Sequence, residues 1–215
     1  MTSQASTTLV FRRRSLRIVL AALTLLALHP VLHAQETVFE LDPAQTKIEF
    51  TLGASLHTVH GSFKLKSGTI RINLSTGPST GAAGGAIVID ASSGESGNSN
   101  RDKRMHREIL ESDKFPEIRF TPRQVKGALS SEGPSKLEVS GQVRLHGEDH
   151  EVTLPIDVIT SGQEIRLTTQ TVIPYVQWGL KNPSTFILRV SDRVTIDIHA
   201  TGRTRNAAAA LRTLP

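Results

Sequence analysis

The feature that most constrains the fold is an alternation of apolar and polar residues with a period of two, which recurs along much of the chain. In 47–52 (KIEFTL), for example, Ile48, Phe50 and Leu52 fall on one face. The same alternation is found in 69–74, 117–120, 136–147, 151–160, 164–172 and 193–202. A period of two puts successive side chains on opposite faces of a strand, and one buried face with one wet face is typical of antiparallel sheet. The chain therefore predicts an all-β protein.

The connections between these segments favour a barrel or a sandwich. Short polar links at 66–68 and 147–149 predict hairpins, and the glycine-rich stretches 77–85 and 127–135 predict longer loops. One short helix is predicted at 101–111. Regular hairpin spacing with about nine or ten strands is what such architectures require.

The first 34 residues are predicted to be a signal peptide. Four arginines (Arg12, Arg13, Arg14 and Arg17) precede the apolar run 18–28, which is too short for a membrane span, and Ala34 suits the residue before a cut. We expect cleavage near Ala34–Gln35, export to the periplasm or beyond the cell, and no membrane span afterwards. The predicted domains are the signal peptide 1–34, a β-domain at 35–203 and a disordered tail at 204–215.

Charge and cysteine usage narrow the function. Without the four arginines of the predicted signal peptide, the chain has 21 basic and 20 acidic residues, so its net charge is close to zero. The high isoelectric point of the full sequence therefore does not indicate nucleic-acid binding. The chain has no cysteine, so core packing and not disulfides must hold it together.

The polar segment 92–116 first suggests an active site. Its Gly94-Glu95-Ser96-Gly97 resembles a nucleophile loop, but the elbow pattern needs glycines on both sides of the serine at a spacing that is absent here. A helix start explains the segment better. Asn98 can cap it, Asp102 suits its dipole, and Arg104/Glu108 and Arg107/Glu111 are i,i+4 pairs, while Met105 and Ile109 form an apolar stripe.

Histidine pairs raise the alternative of a metal site. His57 and His60 are three residues apart and His146 and His150 four apart, but no third ligand follows at a fixed spacing. Phosphate-binding glycine loops are also absent from the sequence. We predict no metal, no cofactor and no catalysis. Whether the aliphatic interior of the barrel is filled or hollow stays open at this point.

Several motifs in order resemble one family. They are Asp42-Pro43 with Lys47-Ile48-Glu49-Phe50, the G-x-F and S-G-x-I pair at Gly61/Phe63 and Ser67–Ile70, G-N-x-x-R-D at 97–102, F-P-x-I-x-F at 115–120, and Leu145-His146-Gly147. Residues 36–202 are similar to the YceI-like family of exported, lipocalin-like proteins, in a sub-branch with a W-G-x-K-x-P-S block at 178–184.

The resemblance implies an antiparallel lipocalin-like β-barrel of about eight strands with one short helix. It also implies a polyisoprenoid or isoprenoid quinone-like lipid in the barrel, for transport, storage or sequestration, with a homodimer left open. The expected pocket residues are Phe50, Leu52, Phe63, Ile70, Ile72, Val139, Val143, Leu154, Ile156, Leu167, Ile196 and Trp178. For Trp178 and Tyr175 two interpretations stay open: the rings sit at the mouth, or they anchor the closing loop. The alternatives are a filled barrel that is structural or stress-protective, and a small enzyme acting on a hydrophobic substrate.

Overall fold

The computed structural model describes residues 36–73 and 79–206. The predicted signal peptide therefore lies outside the described residues. Nine strands follow one another along the described chain. They are β1 (Glu36–Leu41), β2 (Lys47–Gly53), β3 (Thr58–Asn73), β4 (Ser79–Glu95), β5 (Glu117–Gly127), β6 (Gly133–Leu145), β7 (Glu148–Ser161), β8 (Glu164–Ile173) and β9 (Val194–Asn206).

The strands close into an antiparallel barrel with eight positions. Their order is β1-β3-β2-β9-β8-β7-β6-β5-β4, and pairing of β3 with β4 closes the ring. Both β1 and β2 pair with β3 and β9, so the two share one position, end to end. A 3-10 turn at Pro43–Gln45 separates them, capped by the Asp42 carboxylate, which accepts from the Ala44 amide at 2.9 Å. Nine strands thus make the predicted eight-stranded barrel.

The register confirms the predicted inward faces. Ile48, Phe50 and Leu52 on β2 point inward with Ile196 and Ile198 on β9, their cross-strand partners or neighbours. On β8, Ile165 and Thr169 are buried, while the residues between them are exposed or half-buried. Because paired residues in antiparallel strands lie on the same side, one correctly placed face fixes the face of its neighbour.

Two predicted connections were wrong, and the hairpin predicted at 147–149 is confirmed with its turn one residue earlier. Residues 66–68 do not form a hairpin but lie inside β3, where a register shift between Leu65 and Ser67 absorbs the irregularity. Of the loop predicted at 77–85, residues 79–85 belong to β4, so strand pairing overrides their glycine content. The tight turn beside 147–149 is formed by His146 and Gly147, both at positive φ, as a two-residue hairpin of the primed type requires.

The chain end also differs from expectation. The tail was predicted to begin at residue 204, but β9 continues to Asn206, and residues 204–206 pair with β1. The remainder of the predicted tail, 207–215, lies outside the described residues. The helices described here are too short and too polar to cross a membrane.

The helix is present where predicted, with a change of pitch. Helix α1 (Ser99–Arg104) begins at Asn98, whose side chain accepts from the Arg101 amide at 3.0 Å. It continues directly into a π-helical segment, Met105–Leu110. The wider π turn moves Glu111 away from Arg107, so the predicted pair Arg107/Glu111 does not form, and Arg107 contacts Glu108 instead. The predicted pair Arg104/Glu108 is confirmed at 3.1 Å.

The barrel has two different ends. At the packed end, which holds the β5–β6 and β7–β8 connections, large side chains fill the interior. They include Phe39, Ile72, Val125, Leu137, Val139, Val158 and Ile165, all buried. At the cavity end lie the β2–β3 connection (54–57), α1 with the π segment, the β6–β7 turn and the β8–β9 loop (174–193). The polar α1 and long loop therefore cover the end where the strands do not fill the space.

Candidate functional site

A cavity of about 560 Å³ occupies the barrel between its middle and the cavity end. That volume lies within the range of about 300–1,000 Å³ that is typical of small-molecule sites. Most side chains around it are aliphatic or aromatic, and they come from strands, from the π segment and from the β8–β9 loop. The question of filled or hollow thus has a divided answer: one half is packed and the other half encloses space.

The structure brings together most of the residues predicted to line a pocket. Those around the cavity are Phe50, Leu52, Phe63, Ile70, Val143, Leu154, Ile156, Leu167, Ile196 and Trp178. Ile72 and Val139 do not line it and are buried in the core of the packed end. The eleven that lie on strands point inward, so alternation identified their face, whereas depth along the barrel separates the two groups. That these residues bind a ligand stays a prediction.

Sequence reasoning missed several of the lining residues. They include Ile87 and Ile89 on β4, Ile118 and Phe120 on β5, and Leu188 and Val190 in the β8–β9 loop. The β5 pair carried a visible signal, because 117–120 was recognised as a strand. Ile87 and Ile89 directly follow the glycine-rich stretch that predicts a loop, so no strand was predicted there. Leu188 and Val190 lie in a loop, where no alternation of apolar and polar residues indicates which side chains face inward.

The π segment supplies one wall of the cavity. Met105, Ile109 and Leu110 all line it, and Leu110 is buried. The stripe formed by Met105 and Ile109 follows from helical spacing, but Leu110 is adjacent in sequence and would diverge from Ile109 by about 100° on a helix of ordinary pitch. A π turn widens the helix locally and is often found at functional sites. Here it presents two consecutive apolar side chains to the interior.

Two glycines let aromatic rings lie close to the barrel wall. Phe50 and Phe63 pack with ring centroids 5.5 Å apart. A side chain at Gly61 would collide with the Phe50 ring and with the Glu95 carbonyl oxygen. A Cβ at Gly94 would lie 2.5 Å from the Phe63 ring and 2.9 Å from the Met105 methyl group. The absence of a side chain at Gly61 and Gly94 therefore leaves room for these rings against the wall of the barrel.

The polar residues beside the helix hold it in place. The Ser96 amide donates to the Asp102 carboxylate at 2.9 Å, and the Ser96 hydroxyl donates to the same oxygen. Arg101 donates from Nε to the Ser96 hydroxyl and from Nη2 to the Ser96 carbonyl, both at 2.7 Å. The serine that resembled a nucleophile is thus engaged with a carboxylate and a guanidinium. This arrangement fastens the start of α1 to the end of β4.

A second tether holds the end of the π segment. Glu111, at positive φ, accepts from His146 Nε2 at 2.7 Å and from Lys114 Nζ at 2.7 Å. The hydrogen bonds from Lys114 and then His146 lower the pKa of the Glu111 carboxyl below its usual value. The His146 ring also packs against Phe115, 4.4 Å between centroids. Both ends of the helical cover are therefore attached to the barrel.

The β8–β9 loop forms the opposite wall. Tyr175 is buried, and its hydroxyl donates to the Ser191 carbonyl at 2.7 Å. Burial, with Asp192 nearby, raises the pKa of Tyr175 to about 12, so it stays a neutral donor at physiological pH. Trp178 lines the cavity and stacks on His150 with centroids 4.2 Å apart. Both residues lie at the cavity end, where Tyr175 anchors the loop and Trp178 faces the interior.

Few polar groups face the cavity. His57, Asn100 and Arg104 are exposed members of its lining, so the cavity reaches the surface between residues 54–57 and α1. Deeper inside, the Thr169 hydroxyl is buried, and within the part of the chain that the structure describes it has no hydrogen-bond partner. The interior therefore suits an apolar molecule better than a polar one.

The histidines take part in separate contacts. His60 Nδ1 lies 3.1 Å from the Thr51 hydroxyl, His146 contacts Glu111, and His150 stacks on Trp178. Across residues 36–73 and 79–206, no three His, Asp or Glu side chains are grouped so that they could hold a metal ion.

Comparison with known proteins agrees with this architecture. Among solved structures, BcnA from Burkholderia cenocepacia has a TM-score of 0.59 at 18% identity, covering 75% of this chain and 98% of that one. A polyisoprenoid-binding domain from Saccharophagus degradans, implicated in plant cell wall breakdown, has a TM-score of 0.56 at 16% identity, covering 78% and 98%.

At these identities the two structures establish the shared fold. No curated protein matches the chain. The sequence model of the YceI-like domain family matches residues 39–202. This range includes every described strand except the outermost residues of β1 and β9. The chain therefore belongs to the YceI-like family.

Proposed function

We propose that this protein binds an apolar lipid of the polyisoprenoid class inside the barrel, after export to the periplasm, and carries or sequesters it without a catalytic step. The observation that carries the proposal is the cavity of about 560 Å³ with an almost wholly apolar lining. The structural likeness to a polyisoprenoid-binding domain supports the choice of lipid class. The predicted signal peptide supports export.

The physical argument for an apolar chain rests on burial. Each Å² of apolar surface removed from water contributes about 25 cal/mol, and a branched hydrocarbon chain has no polar groups to satisfy on the way in. Aliphatic and aromatic walls of Ile, Leu, Val and Phe match such a chain in chemistry. A ligand with several charged groups would instead lose its hydration against a wall that offers few partners.

The test compares two substitutions on β8. Thr171 lines the cavity, whereas Thr168 on the same strand faces outward and is exposed. Thr171→Phe should fill part of the cavity, and Thr168→Phe adds the same ring outside. We expect native mass spectrometry of gently purified wild type and T168F to show a bound apolar molecule, and added prenyl lipid to raise their melting temperature. T171F should show both effects only weakly.

Two outcomes would refute the proposal. A ligand-free mass with no thermal response to prenyl lipids in the wild type would favour a structural module. Equal retention by T171F and T168F, with both variants folded by circular dichroism, would place the lipid outside the cavity.

A further inference from the structure

Three large apolar side chains at the cavity end are exposed to solvent. Phe186 is 97% exposed, Ile187 82% and Leu56 74%. We name Leu56, Phe186 and Ile187 the apolar tip. Single exposed apolar residues are common, but a cluster beside the opening of an apolar cavity is a candidate interaction surface.

The turn that carries Phe186 and Ile187 is held firmly. The Thr185 amide donates to the Leu188 carbonyl at 2.8 Å, and the Leu188 amide donates to the Thr185 hydroxyl at 3.0 Å. Below it, the Val190 amide donates to the Ser184 hydroxyl at 2.8 Å. Turn tips usually carry Gly, Asn, Asp or Ser. Here a braced turn instead presents two apolar side chains to water.

The tip is continuous with the wall of the cavity. Ser55 and Arg189 are joined by two hydrogen bonds, from the Ser55 amide to the Arg189 carbonyl at 2.8 Å and from the Arg189 amide to the Ser55 hydroxyl at 3.2 Å. This contact places Leu56 on the same rim as the turn. Next to the tip, Leu188 and His57 line the cavity. The apolar tip therefore borders the interior apolar surface.

The β8–β9 loop, which carries Phe186 and Ile187, is basic. It contains Lys181, Arg189 and Arg193 and one acidic residue, Asp192, which pairs with Arg193 at 4.0 Å. All four are exposed. Apolar side chains flanked by cations are the arrangement that binds an anionic membrane surface, because the apolar groups enter the interface while the cations meet lipid phosphates.

We propose that the apolar tip docks on a lipid bilayer that contains anionic phospholipid, and that lipid passes between bilayer and cavity at this rim. The second half of this statement rests on the proposed function. A second copy of the chain fits the tip less well. A symmetric contact would bring the basic residues of the loop against their own copies. Three side chains also cover far less than the roughly 800 Å² per partner of a stable interface.

The docking test uses co-sedimentation of the protein with vesicles of phosphatidylcholine alone or mixed with phosphatidylglycerol. We expect the protein to bind the mixed vesicles, and added salt to weaken this binding. Phe186→Ser and Ile187→Ser should each lower the affinity about tenfold, because each removes an apolar side chain that enters the bilayer. The matched control is Ile159→Ser. Ile159 is also exposed, at 53%, but lies on the outer wall of β7. The I159S variant should bind the vesicles like the wild type.

Three results would overturn the docking. They are no vesicle binding by the wild type, unchanged binding by the double variant F186S/I187S, or an equal loss in I159S. Analytical ultracentrifugation supplies a fourth: a dimer that F186S/I187S dissociates would assign the tip to a second copy.

A second readout separates docking from lipid binding itself. F186S/I187S should take up prenyl lipid from detergent as the wild type does, but acquire it from vesicles more slowly. T171F, whose tip is intact, should still bind vesicles. If T171F and the wild type both fail to take up lipid while both bind vesicles, the proposed function fails and the docking stands. Equal transfer rates from vesicles in wild type and F186S/I187S would overturn the role of the rim in transfer.

Discussion

The two ends of this barrel are built from the same alternation of residues and yet differ in what lies between the strands. Ile165 and Leu167 are two residues apart on β8 and point the same way. Ile165 is 1% exposed and packs in the filled end, whereas Leu167 is half-buried and lines the cavity. The difference shows that a strand's inward face does not define a core. Whether an inward residue packs or lines a space depends on what the other strands place at the same depth.

The largest expected effect tests this contrast directly. Ile165→Ala should lower the free energy of unfolding by roughly 2–5 kcal/mol, because it opens a new cavity in a filled region. Leu167→Ala should cost only about 1–2 kcal/mol in the ligand-free protein, since it enlarges a space that already exists. Urea denaturation of both variants measures the two losses. Equal losses would mean that the cavity end is as tightly packed as the other end.

A second comparison concerns two glycines of β4. Gly94→Ala should destabilise the protein by about 1–3 kcal/mol, because the methyl group would push into Phe63 and Met105 on the cavity wall. At Gly84 nothing lies within 4 Å of the new carbon. Gly84→Ala should therefore stabilise the protein by about 0.4–1 kcal/mol, because alanine lowers the conformational entropy of the unfolded chain.

Thermal unfolding of both glycine variants gives the sign of each change. A stabilising Gly94→Ala would show that the rings of the cavity wall have room to move. The same variant should also retain less prenyl lipid, since Phe63 would be displaced toward the space that the lipid needs.

The smallest expected difference between paired variants concerns the polar atom inside the cavity. Thr169→Val removes a buried hydroxyl without a partner in the described structure and keeps the shape of the side chain. It should stabilise the ligand-free protein by about 1 kcal/mol, whereas the exposed control Thr168→Val should change little. The melting temperatures of the two variants measure this. A destabilising Thr169→Val would indicate that the hydroxyl hydrogen-bonds to water in the cavity.

Much of the fold could be predicted from local patterns. Alternation identified the inward faces of β2, β7, β8 and β9, and Asn98 with Asp102 marked the start of the helix. The errors cluster where pairing overrides local chemistry. The glycine-rich start of β4 is a strand because β5 pairs with residues 79–82 and β3 pairs with residues 82–85. The Arg107/Glu111 pair failed because a π turn, which no local pattern signalled, changed the spacing on which the prediction rested.

The sequence by itself determined most of the strands, the buried faces of β2, β7, β8 and β9, the helix start and, through the resemblance of its motifs, the family. These depend on residue type and on spacings of a few positions, so they are legible along the chain. Only the tertiary structure decided that one end is filled and the other hollow, that Ile72 and Val139 fall outside the cavity, and that Leu56 lies on the same rim as the turn of Phe186 and Ile187. Depth in a closed barrel is set jointly by all eight strand positions and their stagger, and that quantity has no local signature.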